Sequence, residues 1–282
     1  ICHVLRYAPF YAEIRKRVAA GEIGEIVNMQ SSEHVSYHHM AMGFVRGKWN
    51  SKERCKSSML MAKCCHDLDI LTWMKTGIAP KSVSSFGSLT QFRPERAPAG
   101  AGTRCLLDCP IEADCFYSAR KHYLEQELWK MYVWPEYHLG IEPTYEEKIE
   151  SLKTDNPYGR CVWRCDNDVV DHQVVAMEFA GGITATFSMV GLTHDNTRTI
   201  KIFGTKGQIR GHMAKNEIEI ATWDGDQEII RPPGNRELIT RTANPNNHSP
   251  IFLHERAEFR IAHIHTPGQS TWNTLHHPSN IR

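Results

Sequence analysis

The sequence predicts an α+β fold: a large, mainly antiparallel sheet with helices packed on one of its faces. Three observations carry this. Helical spacing of apolar residues marks two stretches near the start, Phe10, Ile14 and Val18 and then residues 58–76. From residue 168 the apolar period changes to two, as in "VVDHQVVAMEF" and "ITATFSMVGL". Tight turn signals then recur between such runs, at "AGG" (180–182), "GTKG" (204–207) and "DG" (224–225).

In chain order, "VLRY" (4–7) reads as a buried strand end. "APFYAEIRKRVAAGEIG" reads as a helix entered at Pro9 and stopped near Gly21. "EIVNMQSSEHVSY" is a strand, and residues 37–56 an irregular loop carrying "RGKWN". A helix is predicted from Ser58 to Thr76, with Ser57 or Ser58 as N-cap, Gly77 just past its end and Pro80 beyond. "KSVSSFGSLTQF" is a strand, and residues 93–160 form a loop-rich insert with short helices around "EADCFYSARKHYLEQELW" and "TYEEKIESL". Three hairpins follow, formed by 169–192, 197–212 and 216–230. After Pro233 periodicity is lost, so 234–282 is expected to be an irregular tail.

Composition excludes several function classes. With 41% hydrophobic and 23% charged residues, the chain is ordinary for a globular protein. Its formal charge of +1, with no sustained basic run, argues against a nucleic-acid partner or an anionic membrane. No apolar run reaches the ~20 residues of a membrane span. The opening "ICHVLRYAPFYAEIRKR" is not a secretion signal and carries no initiator Met, so the chain reads as starting inside a longer protein. The cysteine count of nine is odd and Cys64–Cys65 are adjacent, which suits a reducing, cytoplasmic location.

The stretch "MLMAKCCHDLDIL" (59–71) concentrates the ionisable chemistry. On a regular helix Met61, Cys64, Cys65, Leu68 and Leu71 form a core stripe, while Lys63, His66 and Asp69 succeed one another at i, i+3 on another face. An imidazole between a cation and a carboxylate is a workable general acid/base. A solvated polar face with local ion pairs, or a metal site, is open on the same residues, although adjacent Cys64 and Cys65 diverge around a helix and do not readily join His66 as ligands.

"HVLRYAPFYAEIRKRVAAGEIGEIVNMQ", "MLMAKCCHDLDILTWMKTG", "DHQVVAMEFAGGITATFSM" and "TRTIKIFGTKGQIRG" together resemble the glucose–fructose oxidoreductase, inositol dehydrogenase and rhizopine-catabolism (Gfo/Idh/MocA) oxidoreductases over roughly residues 1–230. The resemblance implies a substrate domain that follows a Rossmann domain. Residues 1–10 would then be the remnant end of the dinucleotide-binding domain and 11–233 the substrate-binding and catalytic domain. It further implies hydride transfer between NAD or NADP and a sugar or cyclitol hydroxyl, with His66 as acid/base, flanked by Lys63 and Asp69. Three departures stand out. Ala62 occupies a position where the family often has Asp. No G-x-G-x-x-G follows a strand, so the chain as given is not expected to bind NAD(P) alone. The tail after 233 shows neither the family's Gly-rich segment nor its returning helix.

Other constellations are weaker. Cys105, Cys109 and Cys115, with Cys161 and Cys165, offer soft ligands if their loops converge, but also read as small buried hydrophobes. Arg6, Tyr7, Trp49, Trp163 and His172 are candidates for a sugar pocket, since planar side chains stack on sugar C–H faces. Core packing is the competing reading for both tryptophans. Asp171 and His172, adjacent in a strand pattern, are expected to point to opposite faces. "HIH" (263–265) and "HH" (276–277) read as chance clustering in the tail.

The expected function is the substrate domain of an NAD(P)-dependent sugar or cyclitol oxidoreductase, with a homo-oligomer formed through the open sheet face. An NAD-dependent glycoside hydrolase of the same fold and a non-catalytic dimerisation or binding module are the alternatives.

Overall fold

A computed structural model describes residues 3–75 and 78–233. Their sheet has eight strands: β1 (Ile26–Ser36), β2 (Ser82–Ser88), β3 (His172–Glu178), β4 (Thr184–Thr193), β5 (Thr197–Gly204), β6 (Gly207–His212), β7 (Glu217–Thr222) and β8 (Gln227–Ile230). Their order is β2-β3-β4-β1-β5-β6-β7-β8, and every pair is antiparallel except β1–β4. The alternation read from sequence sets the faces. Met29, Val175, Met177, Phe187, Met189, Ile200, Ile202 and Ile209 are buried, and their strand neighbours are more exposed. The three late hairpins form as expected. At "AGG" Phe179 N–H closes the turn onto the Ile183 carbonyl (2.8 Å), with Gly181 and Gly182 at φ +84° and +78°, a region open to glycine without strain.

The helices are α1 (Pro9–Ala19), α2 (Tyr37–Met40), α3 (Lys52–Cys55), α4 (Cys65–Met74), α5 (Lys130–Val133) and α6 (Tyr145–Lys153). Phe10 and Ile14 of α1 are fully buried, and a Cβ added at Gly211 on β6 would sit 2.8 Å from Phe10 Cζ, so helix and sheet meet there because glycine leaves room. The insert 93–160 is loop-rich, with short helical pieces and α6 closed by a Thr144–Glu147 capping box.

Four expectations are corrected. "VLRY" is a 3₁₀ turn, Val4–Tyr7, because the chain is already turning into Pro9. Residues 37–56 are not an irregular loop: α2 runs into a π-helical segment, Ala41–Arg46, and α3 follows. The helix after residue 57 begins at Met59 without a side-chain cap, and Ser57 Oγ instead contacts the Ser58 carbonyl. Its first turns, Leu60–Cys64, are π-helical. A π turn holds an extra residue and rotates everything after it, so the stripe built on regular spacing is displaced. Met61 is 60% exposed, whereas Cys64, Asp67, Ile70, Leu71 and Met74 face the core. Thr76, Gly77 and the tail from 234, with its histidine pairs, lie outside the described residues.

Candidate active site

The site grows from the sheet face that carries the helices. Glu33 occupies a core-facing position of β1, in phase with Met29, Ser31 and Val35, and its partner across the ladder is Arg198 on β5, in phase with Ile200 and Ile202. The π turn brings Asp67 down onto both. Arg198 Nε donates to Asp67 Oδ1 at 2.9 Å and also lies 2.7 Å from Glu33 Oε2. The Nε–H is directed at Asp67, so Glu33 Oε2 is a charge contact without a hydrogen bond. Lys63 Nζ completes the group 3.2 Å from Glu33 Oε1. Both carboxylates are buried, with Glu33 2% and Asp67 1% exposed. The formal charges of Lys63, Arg198, Glu33 and Asp67 cancel, which is how charge is tolerated at this depth. Burial pushes the Asp67 carboxyl up to about 6, against the pull of Arg198.

His66 is half-buried beside this network. Its Nδ1 is sealed without a partner, which leaves Nε2 as the reachable nitrogen. Burial, then the cation Arg198, His3 and the cation Lys63, depress its pKa, so the imidazole is neutral and base-competent at pH 7. Asp69, expected to partner His66, is instead clamped by Arg6, whose Nε and Nη2 reach Oδ2 and Oδ1 at 2.7 and 2.6 Å. His3 approaches the same carboxylate (3.8 Å) and meets His66 edge-on at a centroid distance of 6.1 Å. Asp69 is the last and only pKa-raising influence among those acting on His66. Lys63, His66, Asp69 and Arg6 are therefore one neighbourhood, organised differently from the helical wheel.

A histidine–aromatic wall adjoins it. His39, on α2, lies close enough to Lys63 and Arg198 for both charges to depress its pKa, after the larger effect of burial. The His39 and Trp129 rings are 4.6 Å apart. Trp129 Nε1–H donates to His38 Nδ1 at 3.2 Å, and His38 Nε2 bonds Ser36 Oγ at 3.0 Å. Burial holds His38 at about 4 and the neighbouring His122 at about 3.

The remaining sequence candidates fall elsewhere. Tyr7 is 75% exposed, and Trp49 packs against the core with Lys48 Nζ 4.9 Å from its ring centroid. Trp163 is buried in the core against Tyr117. His172 shares the open sheet face with Val174, opposite the face of Glu33 and Arg198, and lines a shallow groove of about 430 Å³ with Phe86 and Val190. It does not point away from Asp171: its Nδ1 lies 2.8 Å from Asp171 Oδ1, because Asp171 precedes β3 and strand alternation does not govern it. Asp171 is fully buried and also accepts from Thr90 and Gln91.

The thiols Cys105, Cys115, Cys161 and Cys165 gather around Arg46, which is 1% exposed and donates to Cys105 Sγ (3.3 Å), the Tyr117 and Arg160 carbonyls and Tyr123 Oη. Among the described residues no three His, Cys, Asp or Glu side chains are arranged to hold a metal ion. The eight described cysteines are unpaired. No described helix is long and apolar enough to cross a membrane.

Sequence reasoning missed Glu33, Asp67, Arg198 and His39. For Glu33 and Arg198 the signal was present, since each occupies a core-facing strand position between apolar residues. For Asp67 the π turn hid it.

The comparisons agree with this architecture. The model of the family described as "Oxidoreductase family, C-terminal alpha/beta domain" matches residues 15–249. The chain is 24% identical over 261 residues to the "Putative oxidoreductase YteT" of Bacillus subtilis (strain 168), covering 89% of this chain and 58% of that protein, so it spans just over half its relative's length. Among solved structures it resembles a levoglucosan dehydrogenase in complex with NADH (TM-score 0.52, 14% identity, 87% of this chain, 55% of that one). It also resembles an oxidoreductase domain protein from Kribbella flavida (TM-score 0.50, 16% identity, 82% and 47%). These likenesses concern the fold. With the family model spanning most of the chain and the sheet order on the page, the chain belongs to the Gfo/Idh/MocA oxidoreductase family and carries its C-terminal α/β domain.

Proposed function

We propose that this chain is the substrate half of an NAD(P)-dependent oxidoreductase acting on a sugar or cyclitol CH–OH group, with His66 as the acid/base. The observation that carries it is the His66 imidazole, held neutral beside two cations with only Nε2 reachable. The levoglucosan dehydrogenase of similar fold binds NADH, which supports the cofactor class without choosing between NAD and NADP. When bound, such a cofactor would supply the acceptor for a hydride from the carbinol carbon. Residues 1–10 are read as the end of a dinucleotide-binding domain and residues 11–233 as the substrate-binding domain.

What the present residues do is move a proton. His66 Nε2 takes the hydroxyl proton as the carbonyl forms, and the ammonium of Lys63, steadied by Glu33, favours the neutral imidazole and an alkoxide-like oxygen. Asp69 and Arg6 fix the helix edge beside it. The open sheet face, with Phe86 and Val174 exposed, is read as the self-association surface. Unpaired thiols fit a cytoplasmic setting.

The test is His66→Gln in the gene product together with its flanking coding sequence, assayed for NAD(P)H formation over sugars and cyclitols. We expect turnover to fall at least 100-fold with the thermal transition unchanged. Turnover within a fewfold of wild type would sink the assignment.

A further inference from the structure

The wall beside Lys63 is built at a conformational cost. Trp129 stands at φ +61° and Glu127 at φ +50°, left-handed conformations that are unusual for a bulky indole and for a glutamate outside a glycine-rich turn. What the strain supports is specific. It brings the indole from the insert onto α2, 4.6 Å from the His39 ring, and points Nε1–H at His38.

The hydrogen bonds then assign the tautomer of His39. Asn196 Oδ1 receives the Ser36 backbone N–H (2.9 Å) and faces His39 Nδ1 at 3.1 Å. A backbone N–H only donates, so that Asn196 atom is the oxygen, and His39 Nδ1 carries the proton. His39 Nε2 therefore presents a lone pair. Among the described residues it has neither a bonding partner nor a place with the sealed atoms. The surrounding charge is already matched, with Lys63 and Arg198 set against Glu33 and Asp67, and Arg6 against Asp69. Among the described residues of this network a carboxylate or phosphate would find no unpaired cation.

We propose that His39, held by Asn196 and by the strained Trp129, is a substrate-positioning subsite for an uncharged sugar or cyclitol, accepting a hydroxyl proton donor at Nε2 and excluding sugar acids and sugar phosphates. This rests on the reading of the domain as a sugar-binding half. Trp129 is a positioning residue, acting through His38 and His39.

The test is binding to the full chain, followed by the NMR signals of the His39 Cε1–H and Trp129 indole N–H during titration with levoglucosan, L-sorbose, myo-inositol, D-glucuronate and glucose 6-phosphate. At least one neutral compound is expected to shift both signals, with the charged pair at least 10-fold weaker. His39→Asn, which keeps an amide donor for Asn196 but removes the Nε2 acceptor, should weaken binding at least 10-fold with the thermal transition retained. Trp129→Phe should weaken it about 3-fold or more. Equal or better binding of the charged pair, unaltered binding by His39→Asn, or no response to any of the five compounds would overturn the proposal. Sugar binding that persists in a protein without hydride transfer would sink the oxidoreductase reading alone, leaving the subsite standing.

Discussion

Arg198 donates from Nε to Asp67 Oδ1 at 2.9 Å, across the junction between a strand and a helix distorted by a π turn. Glu33 lies on the other side of the same guanidinium, so a single buried cation holds two buried carboxylates. Removing it leaves Asp67 uncompensated and Glu33 with Lys63 alone. Arg198→Met is expected to destabilise the domain by about 3–5 kcal/mol, and adding Glu33→Gln and Asp67→Asn should recover a large part of that loss. Urea unfolding of the single and triple variants checks both statements, and additive losses would contradict the shared-cation geometry.

Asp67 also makes stability depend on pH. Its folded pKa is raised to about 6, above the ordinary carboxylate value, so the folded state binds a proton that the unfolded state has released. The contribution is fully present below pH ~4 and is lost as pH rises through about 6, on the order of 2 kcal/mol. Asp67→Asn should flatten this segment of the stability profile, measured by denaturant melts between pH 4 and 7.

The imidazoles work in the opposite direction. His122 and His38 are held by burial at about 3 and 4, below the ordinary histidine value. The unfolded chain takes up their protons first, so the stability they contribute is present above pH ~6.5 and lost as pH falls towards those values. His122→Phe, a similar ring without the titration, is expected to reduce acid sensitivity below pH 6. A parallel shift of the whole curve without a change of slope would refute the assignment.

The Arg6–Asp69 fork is part-exposed, so its stability contribution should be modest, below about 1 kcal/mol. Its electrostatic effect is more diagnostic. Asp69 raises the His66 pKa, so Asp69→Asn should lower it further, visible in a histidine NMR titration. A rise on this substitution would contradict the geometry.

Gly211 tests the contact between helix and sheet. A methyl there meets Phe10 Cζ at 2.8 Å and the Ile200 side chain at 2.9 Å. Gly211→Ala should cost about 1–3 kcal/mol in thermal unfolding, and Phe10→Leu in the same background should relieve part of it.

Much of this was legible because strands report their own faces. "HQVVAME" and "TATFSMVGLT" alternate cleanly, and a two-residue period admits one register once a face must be buried, so Val175 sits opposite Phe187 and Met177 opposite Ala185. Pro9 and the spacing of Phe10 and Ile14 fixed α1 in the same local way. His66, Lys63, Asp69 and Arg6 were picked from local pattern and do lie together.

The pairing of those residues was not local. Asp69 belongs to Arg6, 63 positions away in sequence, and Asp67 to Arg198, 131 away, after one π turn had shifted the helix phase. Trp129 reaches His38 and His39 from within a loop-rich insert that carries no period to read. Sequence by itself determined which segments are strands and helices and which faces are apolar, because hydrophobic burial and backbone geometry act over a few residues. Tertiary structure alone decided which charges compensate one another and which nitrogen of a histidine is available, because desolvation makes those choices only when distant segments close over them.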